Sequence, residues 1–259
     1  NKNNSVGAFM KHVKQTLYAV TITLGLLSVA HAQPLRFATE GAYPPFNYVD
    51  SNNQLRGFDV DMANALCARL SVECSIVAQD WEGIIPGLLA KKYDAIIASM
   101  AITEERQQTV SFTQPYNRTR MVLAVPRGSD IQDTAPATLA GKTVGAQSSS
   151  TQGIYNQDVY GANGARVKLY VGQDEANSDL LNGRLDAVVN DSAPMQEWLK
   201  STDPQCCRVL AIPGTQSDAG IAVRKADDAL RARLNQAIAD VIADGTYRQL
   251  KLAHGLEDD

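Results

Sequence analysis

Three charged residues of the sequence stand where chemistry explains them better than folding does. In YDAIIASMAITEER (residues 93–106) an apolar run, Ala95 to Ala98, leads to Thr103, Glu104 and Glu105. Those three suit an N-cap and an acidic first helical turn. Arg106 shares that turn, where a cation faces the positive end of the helix dipole at a cost of roughly 0.3–1 kcal/mol. A guanidinium fork beside helix N-terminal amides makes a carboxylate clamp, because both present N–H donors to the same anion. Asp191, at the corresponding point of GRLDAVVND (183–191), offers a carboxylate to an ammonium group. Together they match the two poles of an α-amino acid. Each also has a structural alternative: Arg106 pairing with Glu104 or Glu105, and Asp191 capping a helix that starts at Ser192.

Glu40 is then left over, since Arg106 and Asp191 cancel against a zwitterion. A buried carboxylate without a partner is costly, so its natural mate is a cation at the far end of the ligand. Tyr43 and Trp81 supply flat faces for the stem that carries this cation, or else belong to the core. The Gln147 amide both accepts and donates, which suits a guanidinium better than an ammonium.

The elements that must position these residues are short apolar strands alternating with amphipathic helices. Strands are expected at Leu35 to Ala38, Ser75 to Ala78 and Ala95 to Ala98. Helices are expected after Gly57, where Phe58, Met62, Ala65, Leu66, Arg69 and Leu70 recur at helical spacing, and from Gly83 to Ala90. The second half repeats the plan with strands at Lys142 to Ala146 and Lys168 to Val171, and SSSTQ (148–152) opening a helix. GRLDAVVNDSAPM (183–195) parallels KKYDAIIASMAIT (91–103) in its basic residue, its Asp-Ala and its β-branched pair. A final strand in GIAVRK precedes a helix from Asp227 to about Asp244, with Leu230, Leu234, Ile238 and Ile242 as its buried stripe. Such alternation predicts an α/β fold of two similar doubly wound lobes with parallel sheets covered on both faces. The lobes are expected over residues 33–118 and 119–214, with 215–259 returning to the first. Hinge strands are expected near Asn117–Met121 and Pro213–Asp218. Ligands of open parallel sheets bind beyond the carboxyl ends of the strands, where Glu40, Tyr43, Trp81, the Ser99-Met100-Ala101 stretch, Arg106, Gln147, Thr151 and Asp191 all fall.

Residues 1–32 read as a leader to be removed. Lys11, His12 and Lys14 form a basic start behind Met10, the expected initiator, Leu17 to Val29 an apolar core, and Ala30-His31-Ala32 a small-x-small cleavage pattern. The apolar run is too short and interrupted for a membrane span. Without this segment the balance is 21 basic against 28 acidic residues, net −7, which argues against nucleic acid and anionic membrane surfaces as partners. His254 is the one histidine left, which disfavours a Ser-His-Asp triad or a histidine-based metal site. Export makes Cys67 and Cys74 a good short disulfide, stabilising by roughly 2–3 kcal/mol, against two separately buried thiols. Cys206-Cys207 remains open between a vicinal disulfide, two free thiols and an intermolecular bond.

Nearly all of the chain after the leader resembles the periplasmic amino-acid-binding proteins of ABC importers, solute-binding family 3, and within it the lysine/arginine/ornithine, histidine and opine binders. The resemblance rests on ATEGAYPPF (38–46), GFDVDMANALC (57–67), KKYDAIIASMAITEERQQ (91–108), SSSTQ, GRLDAVVND and DGTY (244–247). It implies a monomer of two lobes joined by two strands, closing on ligand in the periplasm and delivering it to an inner-membrane permease, with no cofactor. By matching position, Arg106 with the Thr151 amide would take the α-carboxylate, and Asp191 with the Ser99–Ala101 region the α-ammonium. Glu40 would meet the distal cation and Tyr43 and Trp81 sandwich its stem. The Cys67/Cys74 pair matches a bridge of the basic-amino-acid branch. Ala98 and Ala101 stand where close relatives often carry serines, and Gln147 where an aliphatic residue is common. That leaves room for arginine or an arginine-derived opine ahead of lysine or ornithine. A few proteins resembling this family are exported cyclohexadienyl dehydratases, in which case Glu40 would be a proton donor.

Overall fold

The computed structural model describes residues 33–256, so the expected leader lies outside the described residues. Strand Leu35–Thr39 is paired in parallel with Cys74–Ala78 on one side and Ala95–Ile96 on the other. Successive side chains serve opposite faces of the sheet: Phe37 packs with Phe58, Met62 and Leu66, and Ala38 with Ile84, Leu88 and Tyr93. Helix Phe58–Leu70 starts where Gly57 alone fits. Its φ is +115°, and a Cβ there would lie 2.4 Å from the Phe46 carbonyl oxygen. That close approach lets the Phe58 and Asp59 amides donate to the carbonyls of Pro45 and Phe46. Helix Trp81–Leu89 begins two residues before the expected Gly83, which places Trp81 and Glu82 in its first turn.

The second sheet repeats the plan. Thr143–Gln147 is flanked in parallel by Arg166–Tyr170 and Ala187–Asp191. The two thirteen-residue repeats occupy equivalent third strands, Ala95 opposite Phe37 and Ala187 opposite Val144.

Neither sheet is wholly parallel, contrary to the sequence expectation. Ala222–Arg224 lies antiparallel between Ala95–Ile96 and Val110–Phe112, and Met121–Pro126 antiparallel between Ala187–Asp191 and Cys207–Ala211. Each of these strands follows a crossing segment. Asn117–Thr119 and Ser217–Ala219 pair as a two-stranded ladder, and the chain leaves each to enter the next sheet from its cleft end. Strands that run towards the cleft are therefore met by one that runs away from it. Helical alternation in sequence does not reveal that reversal.

Helix Asp228–Ala243 buries Leu234, Ala237, Ile238 and Val241, whereas Ile242 is 49% exposed. Stepping by four residues drifts roughly 40° per step from a 3.6-residue repeat, so the fourth position of the expected stripe passes to Val241. Cys67 and Cys74 are bonded across a Cα–Cα distance of 5.8 Å, and Cys206 is bonded to Cys207 as a vicinal disulfide. Among the described residues no helix is long and apolar enough to cross a membrane.

Candidate ligand-binding site

The strand ends of both lobes enclose one cavity. The first lobe contributes Glu40, Tyr43, Trp81, Ala98, Ser99, Ala101 and Arg106, and the second Gln147, Thr151 and Asp191. Of the residues expected there, Met100 is the exception. It is 1% exposed and packs with Ile84, Leu88 and Ile96, because its neighbours Ser99 and Ala101 turn to the cavity and leave the intervening side chain to the core. Thr119, Ser150 and Gln152 also line the cavity and were not expected. Gln152 lies one residue beyond Thr151 in SSSTQ, and Thr119 sits in the crossing strand, which a motif search reads only as a connection.

Arg106 is held as the sequence required. Thr103 caps the short helix Glu104–Gln107 by accepting from the Arg106 amide at 3.1 Å. The guanidinium turns back from this turn, donates from Nη1 to the Ala101 carbonyl at 2.9 Å, and lies 5.3 Å from the centre of the Trp81 ring. Among the described residues it makes no ion pair, so the pairing with Glu104 or Glu105 is not formed. Burial lowers its pKa to about 10, which still leaves it charged. Opposite it, Ser150 caps helix Thr151–Tyr155, accepting from the Gly153 amide at 3.0 Å and donating to the Gln147 carbonyl at 2.7 Å. Gly153 is required, since a Cβ would stand 2.3 Å from the Gln147 carbonyl oxygen.

Asp191 is 4% exposed and occupies the N-cap position of helix Ser192–Ser201 without capping it. Its carboxylate instead accepts from the Tyr43 hydroxyl, with the Gln152 and Thr119 side chains also upon it. Burial outweighs those donors and lifts its pKa to about 6. At the other end, Gln147 Nε2 donates to Glu40 Oε1 at 2.6 Å and to the Val171 carbonyl at 3.2 Å. Glu40 is also raised, first by burial, then by the nearby charges of Asp174 and Asp80. The cavity thus holds two carboxylates against one guanidinium, an excess of negative charge that a zwitterion with one further cation would balance.

Beneath the cavity lies a group that sequence reasoning missed. Asp59, fully buried, accepts from Asn47 Nδ2 at 2.8 Å, Ser99 Oγ at 2.9 Å and the Tyr116 hydroxyl at 2.6 Å. The Tyr116 oxygen in turn accepts from the Ser99 amide at 2.8 Å, and Asn117 Nδ2 donates to Ser99 Oγ at 2.9 Å. This network holds Ser99 at a φ of +47° and ties it to the crossing strand. Burial lifts Asp59 to about 6 as well. His254 is outside the cavity, where its Nε2 meets Asp61 at 2.7 Å.

The sequence pattern of the bacterial extracellular solute-binding proteins, family 3, matches residues 35–256. The L-arginine-binding protein of Pseudomonas aeruginosa is 40% identical over 236 residues, which is 88% of this chain and 90% of that one. Among solved structures, an ancestral arginine-binding protein bound to arginine superposes with a TM-score of 0.82 at 35% identity, over 86% of this chain and 99% of that one. An ancestral amino acid-binding protein, a precursor of cyclohexadienyl dehydratase, superposes with a TM-score of 0.77 at 30% identity, over 85% of this chain and 94% of that one.

Proposed function

Because the chain belongs to family 3 of the bacterial extracellular solute-binding proteins, we propose that it is a periplasmic receptor for a cationic L-amino acid, arginine first, serving an ABC permease. An arginine-derived opine, lysine and ornithine follow in that order. In this reading Arg106 and Thr151 take the α-carboxylate, and Asp191 with the Ser99–Ala101 backbone takes the α-ammonium. Tyr43 and Trp81 flank the side-chain stem, and Glu40 with Gln147 receives the guanidinium. The two lobes of this reading divide at residues 118/119, within strand Asn117–Thr119, and at 214/215, just before its partner Ser217–Ala219.

One observation carries the choice of a cation: Glu40, at the end away from Arg106, is a half-buried acid whose contact in the cavity is a neutral amide. A guanidinium gives that acid a charged partner, while its remaining N–H groups reach the Gln147 oxygen. The arginine-binding relative and structure support the same choice. Calorimetry with arginine, lysine, ornithine, octopine, histidine, glutamine and glutamate tests it. Tight binding of glutamine or glutamate without response to arginine would remove the role given to Glu40. Turnover of arogenate or prephenate by the purified protein would instead favour the dehydratase reading, in which the raised Glu40 carboxyl donates a proton.

A further inference from the structure

Two side chains join the lobes at the mouth of the cleft without lining its interior. Glu82, in the first turn of helix Trp81–Leu89, accepts a hydrogen bond from the hydroxyl of Ser148, in the turn after strand Thr143–Gln147. Neither borders the cavity shared by Arg106 and Asp191; both border an adjoining groove that carries Ile85, Ile154 and Leu169 and meets the cavity at Arg106 and Thr151. Beside them Trp81 Nε1 donates to the Ser149 carbonyl at 3.0 Å. The Ser148 amide donates to the Tyr170 carbonyl at 2.7 Å, which anchors this turn in its own sheet.

We propose that Glu82 and Ser148 form a latch: positioning residues that raise ligand affinity by favouring the closed arrangement while touching no ligand atom. The proposal rests on the reading of the cleft as an amino-acid site. Apparent affinity scales with the fraction of protein in the binding-competent state, so a contact made only on closure tightens binding. A hydroxyl donating to a carboxylate is stronger than a neutral pair, but Glu82 is exposed and both groups regain water when the lobes part. The net effect is therefore modest. It is also the same factor for every ligand, and it falls chiefly on dissociation, because the latch must break before the cleft can open and release the ligand.

The test is a double-mutant cycle of Ser148→Ala and Glu82→Ala, read by stopped-flow binding of arginine and lysine and by small-angle scattering without ligand. Each single variant should bind both ligands roughly three- to tenfold more weakly, through faster dissociation. The double variant should lose little more than either single one, and Ser148→Thr should restore the affinity. Ligand-free Ser148→Ala should show a larger radius of gyration than the parent. Unchanged affinity, additive losses, or a different factor for the two ligands would overturn the latch. A parent protein that bound no amino acid would fail the site reading instead, and the ligand-free scattering alone would then decide the latch.

Discussion

The Tyr43 hydroxyl donates to Oδ2 of Asp191, joining two lobes through residues 148 positions apart in sequence. An otherwise buried carboxylate is thereby given a neutral donor at the place where an ammonium group would bring a charged one. The contact bears directly on how binding responds to pH.

Asp191 has its pKa raised to about 6 by burial, and an ammonium ligand favours its ionised form. The folded, ligand-free protein therefore holds a proton at Asp191 below about pH 6 that it must release on binding, so affinity rises with pH up to about 6 and levels off above it. Glu40, raised in the same direction, reinforces the trend. The sign for folding is the opposite: a raised acid binds more protons folded than unfolded, so this group's contribution to stability falls as pH rises through about 6. Calorimetry across this range, in buffers of different ionisation enthalpy, should show net proton release near pH 6 and little above pH 8, as expected for a group of that pKa. Affinity that declines between about pH 5 and about pH 7 would exclude this role for Asp191.

Arg106 should govern binding of every amino acid, because the α-carboxylate is common to all. Arg106→Ala should weaken arginine and lysine alike by about 2–5 kcal/mol, since truncation leaves the ligand carboxylate desolvated without its partner. Arg106→Lys should recover only part of that loss, as an ammonium has no planar fork and packs differently over Trp81. Thermal-shift titrations of both variants decide this. A Lys variant with parental affinity would show that charge alone suffices.

Glu40→Gln should separate ligands instead of abolishing binding. Arginine, lysine and ornithine should weaken by about 2–4 kcal/mol, whereas glutamine should be held at least as well as before, because removing the excess carboxylate favours a neutral distal group. Competition against a fluorescent ligand across these amino acids gives the ratios. Equal losses for cationic and neutral ligands would contradict the division between clamp and specificity.

Much of this arrangement was legible in residue types. Arg106 in an acidic first turn was an anomaly that local helix physics did not explain, and the structure gives it a cavity in place of an ion pair. The duplicated strand motif foretold equivalent strands, Thr103 stood out as a cap, and SSSTQ as the opening of a helix. What stayed hidden depended on contacts far apart in the chain. The antiparallel strands owe their direction to the crossing ladder, which no local periodicity encodes. Asp59 sits in the first turn of helix Phe58–Leu70, where an acid is ordinary, while its donors come from Asn47, Ser99 and Tyr116 on other segments. Met100 points to the core because side chains alternate at the end of this strand, an alternation the contiguous Ser99-Met100-Ala101 stretch does not display as a sequence.

The Asp59 network supplies the last prediction, which concerns stability and the site together. Tyr116 is 2% exposed, and its hydroxyl both donates to Asp59 and accepts from the Ser99 amide. Tyr116→Phe keeps the ring that stacks near Phe58 but leaves a buried carboxylate one donor short and a buried amide without its acceptor. The expected loss is about 1–3 kcal/mol, a fall in Tm of roughly 2–4 °C per kcal/mol in a chain of this size. The carboxyl of Asp59 should rise further from about 6, since a donor that favours its ionised form is gone. At neutral pH the variant should therefore be destabilised more than in mild acid, where Asp59 takes up the proton and no longer requires the third donor. Ser99, freed on one side, should also weaken ligand binding in step with the loss of its φ of +47°. Thermal melts at about pH 5 and about pH 7.5, with and without arginine, separate these effects. A variant as stable as the parent at both values would show that the hydroxyl is not needed to hold Asp59 and Ser99 together.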